Sequence, residues 1–229
     1  EIAKNFRNEG MDRIHNPEYT SLEYYQAYAD VYSMMDLTEN MFRHIAEETG
    51  EICFEYAGNN IDLNQPFKKK SMFDLLQEYC DTDISGMDAL ALNKLAQSKF
   101  LELPEEMNYG QVLDKLFGEI VEPKLIEPTF VTDYPKAVSP LAKDNRNGKT
   151  DIVERFELFI AGMEFANSFS ELNDPIEQRL RLESQALLRD EGDEEAQVVD
   201  ENFLQAMEVG MPPTGGVGIG VDRLIMLLT

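Results

Sequence analysis

The sequence is poor in positive charge: 20 Lys and Arg stand against 44 Asp and Glu, a formal net charge of −24. A module that holds nucleic acid mainly by neutralising phosphates needs a basic excess or a basic stripe, so that class is excluded. Cysteine is scarce too. Cys53 and Cys80 form no CxxC pair and have no histidine at metal-ligand spacing, which excludes a disulfide scaffold or structural zinc site and fits a reducing cytoplasm. Long apolar runs are missing: nothing approaches the roughly 20 residues that cross a bilayer. The N-terminus shows no secretory pattern, so a cytoplasmic protein with no membrane partner is expected. No internal repeat or low-complexity tract is visible. What is present is a globular composition, 43% hydrophobic over 229 residues, enough for a sizeable core despite the charge. The chain opens on Glu1 rather than Met and stops at Leu227-Leu-Thr229 after an apolar run, so a piece of a longer protein is expected.

The pattern of apolar residues predicts strands first. Glu1–Phe6 and Glu18–Tyr25 are β-prone, joined by a long loop with a polar turn at Asn8–Arg13. Leu37, Met41, Phe42 and Ile45 recur at helical spacing and predict a helix over Asp36–Glu48, leaving at Thr49-Gly50. A hairpin follows, Ile52–Tyr56 with Asn60–Leu63, turning at Gly58-Asn59. The texture then becomes helical over 72–79, 86–98 and 110–122, with Ser71 and Asp74 placed as a capping box. Strands return at Thr129–Thr132, Phe156–Ile160 and Glu164–Phe169, the last two around a tight turn at Ala161–Met163. A helix from Pro175 to about Arg189, an acidic run Asp190–Glu195 and a helix starting at Val221 complete the reading. Strands and helical blocks without regular βαβ alternation predict an α+β fold with a mainly antiparallel sheet. The expected organisation is a core in two parts, 1–67 and 127–229, interrupted by a small helical insertion, 68–126.

Four groups of residues carry potential chemistry. Gly215-Gly-Val-Gly-Ile-Gly220 lets backbone approach a ligand closely ahead of a helix N-terminus, but the spacing fits neither the GxGxxG nor the P-loop fingerprint. Tight helix–sheet packing is the more ordinary explanation. Arg223, just inside that helix, suits a bidentate grip on a terminal phosphate or, more plainly, an ion pair. Glu157 and Glu164 flank the Ala161–Met163 turn; pairing of their strands brings two carboxylates together, a natural Mg²⁺ site, unless each simply faces solvent. Finally, Arg7, Glu9, His15 and Tyr19 lie on two strands and their loop, where structural roles are the ordinary alternative.

Taken in order, these motifs resemble the class II aminoacyl-tRNA synthetases. Phe6-Arg-Asn-Glu9, His15-Asn-Pro-Glu-Tyr-Thr20 and Glu23-Tyr-Tyr25 look like the second signature motif of that class, and Gly216-Val-Gly-Ile-Gly-Val-Asp-Arg223 like the third. His15–Thr20, Phe156-Glu157, Glu164 and Asn167–Asp174 are similar to the lysine-specific branch rather than the aspartate or asparagine branches. Glu127–Pro135 and Ser139–Ala142 extend the match along the chain.

The resemblance implies a six- or seven-stranded antiparallel sheet flanked by helices, with ATP and L-lysine on its face. It implies ATP-dependent formation of lysyl-adenylate and transfer to the 3′ end of tRNA(Lys). Arg7 and Arg223 would be catalytic. ATP would meet Arg7, Glu9, His15, Tyr19, Glu157, Gly220 and Arg223, with Glu9 and His15 at adenine and the outer phosphates and Tyr19 stacked on adenine. Mg²⁺ would sit at Glu157 and Glu164. The lysine pocket would comprise Arg7, Glu23, Tyr25, Asn167, Phe169 and Glu171, with no basic residue of the kind an aspartate-specific pocket needs. Tyr19 replaces a Phe more usual at its position, Ser168 a Gly or Ala, and Met163 an Arg. The first motif and an anticodon-reading barrel are not recognisable, so the main tRNA anchor and the homodimer interface are expected upstream. Two alternatives accompany this reading: a paralog that lysylates an elongation factor, and a synthetase-like binding domain without catalysis.

Overall fold

The structure, a computed structural model, describes residues 1–7, 10–11, 15–104, 107–149, 151–190 and 196–229. Numbered in chain order, its main sheet runs from edge to edge as β1 (Ile2–Phe6), β2 (Glu18–Ala27), β9 (Thr214–Gly220), β8 (Met163–Ser170), β7 (Arg155–Ile160), β6 (Thr129–Thr132) and β5 (Lys68–Ser71). All neighbours are antiparallel except β5 and β6. This is the expected α+β architecture with its large, mainly antiparallel sheet.

Alternation along the strands gives the sheet two different faces. One buries Phe130, Phe156, Leu158, Ile160, Phe165, Val217 and Ile219 against α1 (Val31–Thr49), α7 (Val221–Leu228) and the separate hairpin β3 (Cys53–Tyr56) and β4 (Asn59–Asp62). The other face is covered only toward β5–β7. There α2 (Met72–Cys80), α3 (Ala89–Ser98) and α4 (Tyr109–Leu116) build a second core on Val131 and Phe159. On β2, at the uncovered side of that face, Glu23 and Tyr25 stay exposed. A small third cluster joins α5 (Pro175–Asp190) to α6 (Glu201–Gly210) through Leu182, Leu204 and Met207.

Local chemistry explains where the elements depart from the sequence reading. Helix α1 starts at Val31, not Asp36, because the Asp30 side chain caps it by accepting from Ser33 N, and Val31, Met34 and Met35 extend the buried stripe. It ends at Gly50, left-handed at φ 84°, as expected. The first hairpin turns at Ala57-Gly58, both with positive φ, rather than at Gly58-Asn59. Ala161-Gly162 repeats that turn in β7–β8. The expected 110–122 helix is α only over Tyr109–Leu116 and continues as a π turn, Phe117–Val121, and a 3₁₀ turn, Glu122–Lys124.

Three elements have no counterpart in the sequence reading. Lys68–Ser71, at the start of the segment expected to be helical, is an edge strand of the main sheet. Helix α6 is capped by Asp200, which accepts from Phe203 N. The glycine-rich run is strand β9, in the interior of the sheet rather than in a loop. The Asn8–Arg13 turn lies largely, and the acidic run after Asp190 wholly, outside the described residues.

Candidate active site

Strand β9 explains its own composition. Val217 and Ile219 point into the core, and Gly216, Gly218 and Gly220 therefore fall together on the opposite face. Glycine weakens a strand, so three at a period of two mark a surface where something must approach the backbone. The register supplies two walls. Glu23 and Tyr25 of β2 lie opposite Gly218 and Gly216, and Asn167 and Phe169 of β8 lie opposite the same two glycines from the other side.

Past the end of β8, Glu171 leans over this floor. A Cβ built on Gly216 would overlap Glu171 Oε1 and come within 2.7 Å of Tyr25 Cε1. Burial pushes the Glu171 carboxyl up to about 8. The Tyr25 hydroxyl is raised by burial and by the neighbouring charges of Glu171 and Glu23. The structure thus gathers Glu23, Tyr25, Phe169 and Glu171 around one glycine floor: carboxylates and aromatic rings suited to a compact cation.

A bulge brings the second acidic group together. Phe159 pairs with Glu164 while Leu158 pairs with Ala166, so the register steps over Phe165. Phe165 and Ala166 both pack in the core, and Glu164 and Asn167 share the other face although they are three residues apart. Glu157, opposite Asn167, accepts from Arg155 Nη2 (2.6 Å) and from the Tyr134 hydroxyl (2.6 Å). Arg223 Nη1 donates to the Glu164 carbonyl (2.5 Å) and lies 3.7 Å from its carboxylate. Burial and the charge of Glu157 push Glu164 up to about 7, against Arg223, Arg155 and Arg7.

Sequence reasoning missed three participants here. Glu122 has its carboxyl raised to about 7 by burial and by Glu157 and Glu164. Its place depends on the 3₁₀ turn, held against the hairpin tip through Ala161 N to Ile126 O and Gly162 N to Leu125 O. Arg155 is signalled by the period-two Arg155-Phe-Glu157, which puts it beside Glu157. Tyr134 carries no comparable signal. Among the described residues, no group of three or more His, Cys, Asp or Glu is gathered to hold a metal ion.

Arg7 follows β1 directly, its guanidinium 5.5 Å from the centroid of the Tyr19 ring on β2. His15 is exposed just ahead of β2. Thr20 N donates to Asp222 Oδ2 (2.7 Å), tying β2 to the first turn of α7 and to Arg223 beside it. Gly220 is the N-cap of α7 and stands opposite Ser21. Glu9 lies outside the described residues. No helix among the described residues is long and apolar enough to cross a membrane.

A large, mainly antiparallel sheet with helices on both faces, a glycine strand in its open face and an arginine just after it are the architecture of a class II aminoacyl-tRNA synthetase. A family model described as tRNA synthetases class II (D, K and N) matches residues 1–229, and the chain belongs to that family. It is 48% identical over 230 residues to a lysine–tRNA ligase of Christiangramia forsetii, 52% over 233 residues to one of Nostoc sp. and 49% over 231 residues to one of Moorella thermoacetica. Each alignment takes in 100% of this chain and 40%, 41% and 47% of the relative, so the chain spans less than half the length of these curated relatives.

Proposed function

We propose that this chain is the catalytic part of a lysine–tRNA ligase, activating L-lysine with ATP and passing it to the 3′ end of tRNA(Lys). The observation that carries the reading is the grouping of Glu171 and Tyr25 about Gly216 with Glu23 beside them at Gly218. Transfer of an ammonium into this pocket is favourable only if its charge is met, and two carboxylates beside an aromatic ring meet it. A neutral or acidic side chain would leave them unpaired, which is how a polar pocket discriminates strongly. The names of the relatives point the same way.

Activation requires the lysine carboxylate to attack the α-phosphorus of ATP, displacing pyrophosphate. In this reading Arg7 holds the developing negative charge and Arg223 grips the outer phosphates. Tyr19, whose ring Arg7 covers, offers a stacking surface for adenine once that guanidinium turns to phosphate; Glu9 and His15 complete the nucleotide site in this reading. Glu157 and Glu164 would hold Mg²⁺: two carboxylates of which one is raised by burial and mutual repulsion are a donor set that a divalent cation relieves. When bound, the ion neutralises phosphate charge. The acceptor tRNA, anchored mainly by the rest of the protein, a homodimeric assembly and a cytoplasmic setting belong to the same proposal.

Amino-acid-dependent ATP–pyrophosphate exchange by the full-length gene product tests it. Lysine is expected to support exchange; exchange with another amino acid and not with lysine overturns the reading.

A further inference from the structure

Arg155 lies under the open face and is almost enclosed, its side chain 15% exposed. Its guanidinium is occupied on every arm. Nη1 donates to Val138 O (2.9 Å) and Ser139 Oγ (2.8 Å), Nη2 to Glu157 Oε1 (2.6 Å) and Nε to Asn167 Oδ1 (3.2 Å), while the Tyr134 ring centroid lies 4.6 Å away. These partners come from the segment before β7, from β7 itself and from β8, so the planar group cannot turn without breaking several bonds at once.

The contact to Asn167 fixes a chemical polarity. Nε of arginine has only a hydrogen to give, so the Asn167 atom facing it is the amide oxygen, and the amide NH₂ is turned the other way. A flip would oppose two donors and discard the bond. Among the described residues nothing accepts from that NH₂. Asn167 stands opposite Gly218, two positions along β9 from Gly216, where Glu171 and Tyr25 meet. Two residues of strand span about 6.6 Å, comparable to an extended lysine side chain. Glu171 and Tyr25 thus stand at the Gly216 end of such a ligand, and at the Gly218 end the Asn167 NH₂ is a donor across the strand from the Glu23 carboxylate.

We propose that Arg155 is a positioning residue for amino-acid recognition: it locks the Asn167 amide so that its NH₂ meets an oxygen of the bound amino acid, and Asn167 does not serve as an acceptor for the ammonium. The proposal rests on the lysine-activating reading above. Arg155 itself touches no substrate; it acts on lysine through Asn167, so its effect on lysine binding must vanish when Asn167 is removed.

The test compares Arg155→Lys, Asn167→Ala, Asn167→Asp and the double variant Arg155→Lys/Asn167→Ala in the full-length gene product. The readouts are lysine and ATP KM in pyrophosphate exchange, calorimetric lysine affinity and thermal stability. Arg155→Lys keeps a cation beside Glu157 but loses the fork, and is expected to raise lysine KM about tenfold, the scale of one charge-assisted hydrogen bond; any change in ATP KM reports its separate bond to Glu157. The double variant is expected to be no worse for lysine than Asn167→Ala alone. Asn167→Asp, which still accepts from Arg155 but offers no donor, is expected to weaken lysine binding. Tighter lysine binding by Asn167→Asp, or single effects that multiply in the double variant, overturns the positioning role. If Arg155→Lys does not fold, Ser139→Ala loosens one anchor of Arg155 and is expected to raise lysine KM only while Asn167 is present; an equal effect without Asn167 overturns the role. Wild-type protein that activates no lysine removes the underlying reading instead, and the positioning role falls with it.

Discussion

The carboxylate of Glu171 rests above Gly216, in space that the Cβ of any other residue would enter. The contact links a residue beyond the end of β8 to the middle of β9, and it makes the glycine a condition of the pocket rather than of the strand. Gly216→Ala is therefore expected to displace Glu171 and the Tyr25 ring while leaving the sheet intact, since both groups can swing toward solvent. Lysine KM should rise by about tenfold to a hundredfold, with a stability loss of about 1–3 kcal/mol from overpacking. Exchange kinetics together with thermal denaturation separate the two effects; a variant that keeps wild-type lysine KM would show that Glu171 does not need this floor.

Glu171 also sets an expected pH dependence. With its carboxyl pushed up to about 8 by burial, the empty pocket holds it mainly protonated at pH 7. A lysine ammonium favours the carboxylate, so binding at pH 7 should release up to one proton, and affinity should increase as pH rises toward 8. Calorimetry in buffers of different ionisation enthalpy measures the release directly. Glu171→Gln should abolish both the proton release and the pH dependence. The same shift has a stability sign. Between the ordinary carboxylate range and pH 8 the folded state binds the extra proton, so Glu171 costs nothing at acid pH and progressively destabilises the unliganded protein as pH rises through that window.

The two acidic groups of the site differ in how far they could be read from sequence. Strict alternation carried most of it: Glu23 with Tyr25, Arg155 with Glu157 and Asn167 with Phe169 each fall on one face by parity alone. Gly216, Gly218 and Gly220 obey the same rule, yet glycine's poor β-propensity disguised an interior strand as a phosphate loop, and only the buried Val217 and Ile219 between them reveal it. Parity fails at Glu164. Counted from Asn167 it belongs to the core face, and the step over Phe165 is what returns it to the site. Glu122 was beyond reach for another reason, because its approach depends on a helix that loosens into a π turn and a 3₁₀ turn. The edge strand Lys68–Ser71 escaped because consecutive lysines have little β-propensity; their pairing with Glu127, Asp36 and Glu78 and the parallel contact to β6 hold them there.

Glu154 is buried near the pocket and is paired by the half-exposed Arg146. Arg146 donates from Nε (2.5 Å) and Nη2 (2.8 Å) to the two oxygens of Glu154, which is 2% exposed, and Ser170 Oγ adds a third bond at 2.6 Å. Arg146 also reaches Asp30 Oδ2 (2.9 Å), the N-cap of α1. Arg146→Met should strand the Glu154 charge. With Arg146 itself half exposed, the cost is about 2 kcal/mol rather than the full penalty of an enclosed pair, or a Tm lower by about 4–8 °C for a chain of this size. Burial raises the Glu154 carboxyl, but the bonds from Arg146 and Ser170 outweigh it and hold the group below its ordinary value. Its contribution is thus present at neutral pH and lost as pH falls through that lowered value, so the difference in Tm between wild type and variant should shrink on acidification.

Glu164 is expected to behave in the opposite sense. Burial and the charge of Glu157 raise it to about 7, so without a cation it is neutral in acid and becomes a penalty as pH rises through 7. Thermal denaturation in EDTA should accordingly show wild-type Tm falling between pH 5.5 and 8.5, and Glu164→Gln falling less, because an amide does not ionise. At pH 8.5 the variant should be the more stable protein, by about 1–2 kcal/mol after allowing for the part of the carboxylate that water reaches. Adding Mg²⁺ reverses the order: the ion stabilises wild type by binding the folded state alone, and leaves Glu164→Gln nearly unmoved. Mg²⁺ raising both Tm values equally would place the cation elsewhere. A substitution that stabilises the empty protein while removing its response to the ion is the behaviour of a carboxylate kept for binding and not for folding.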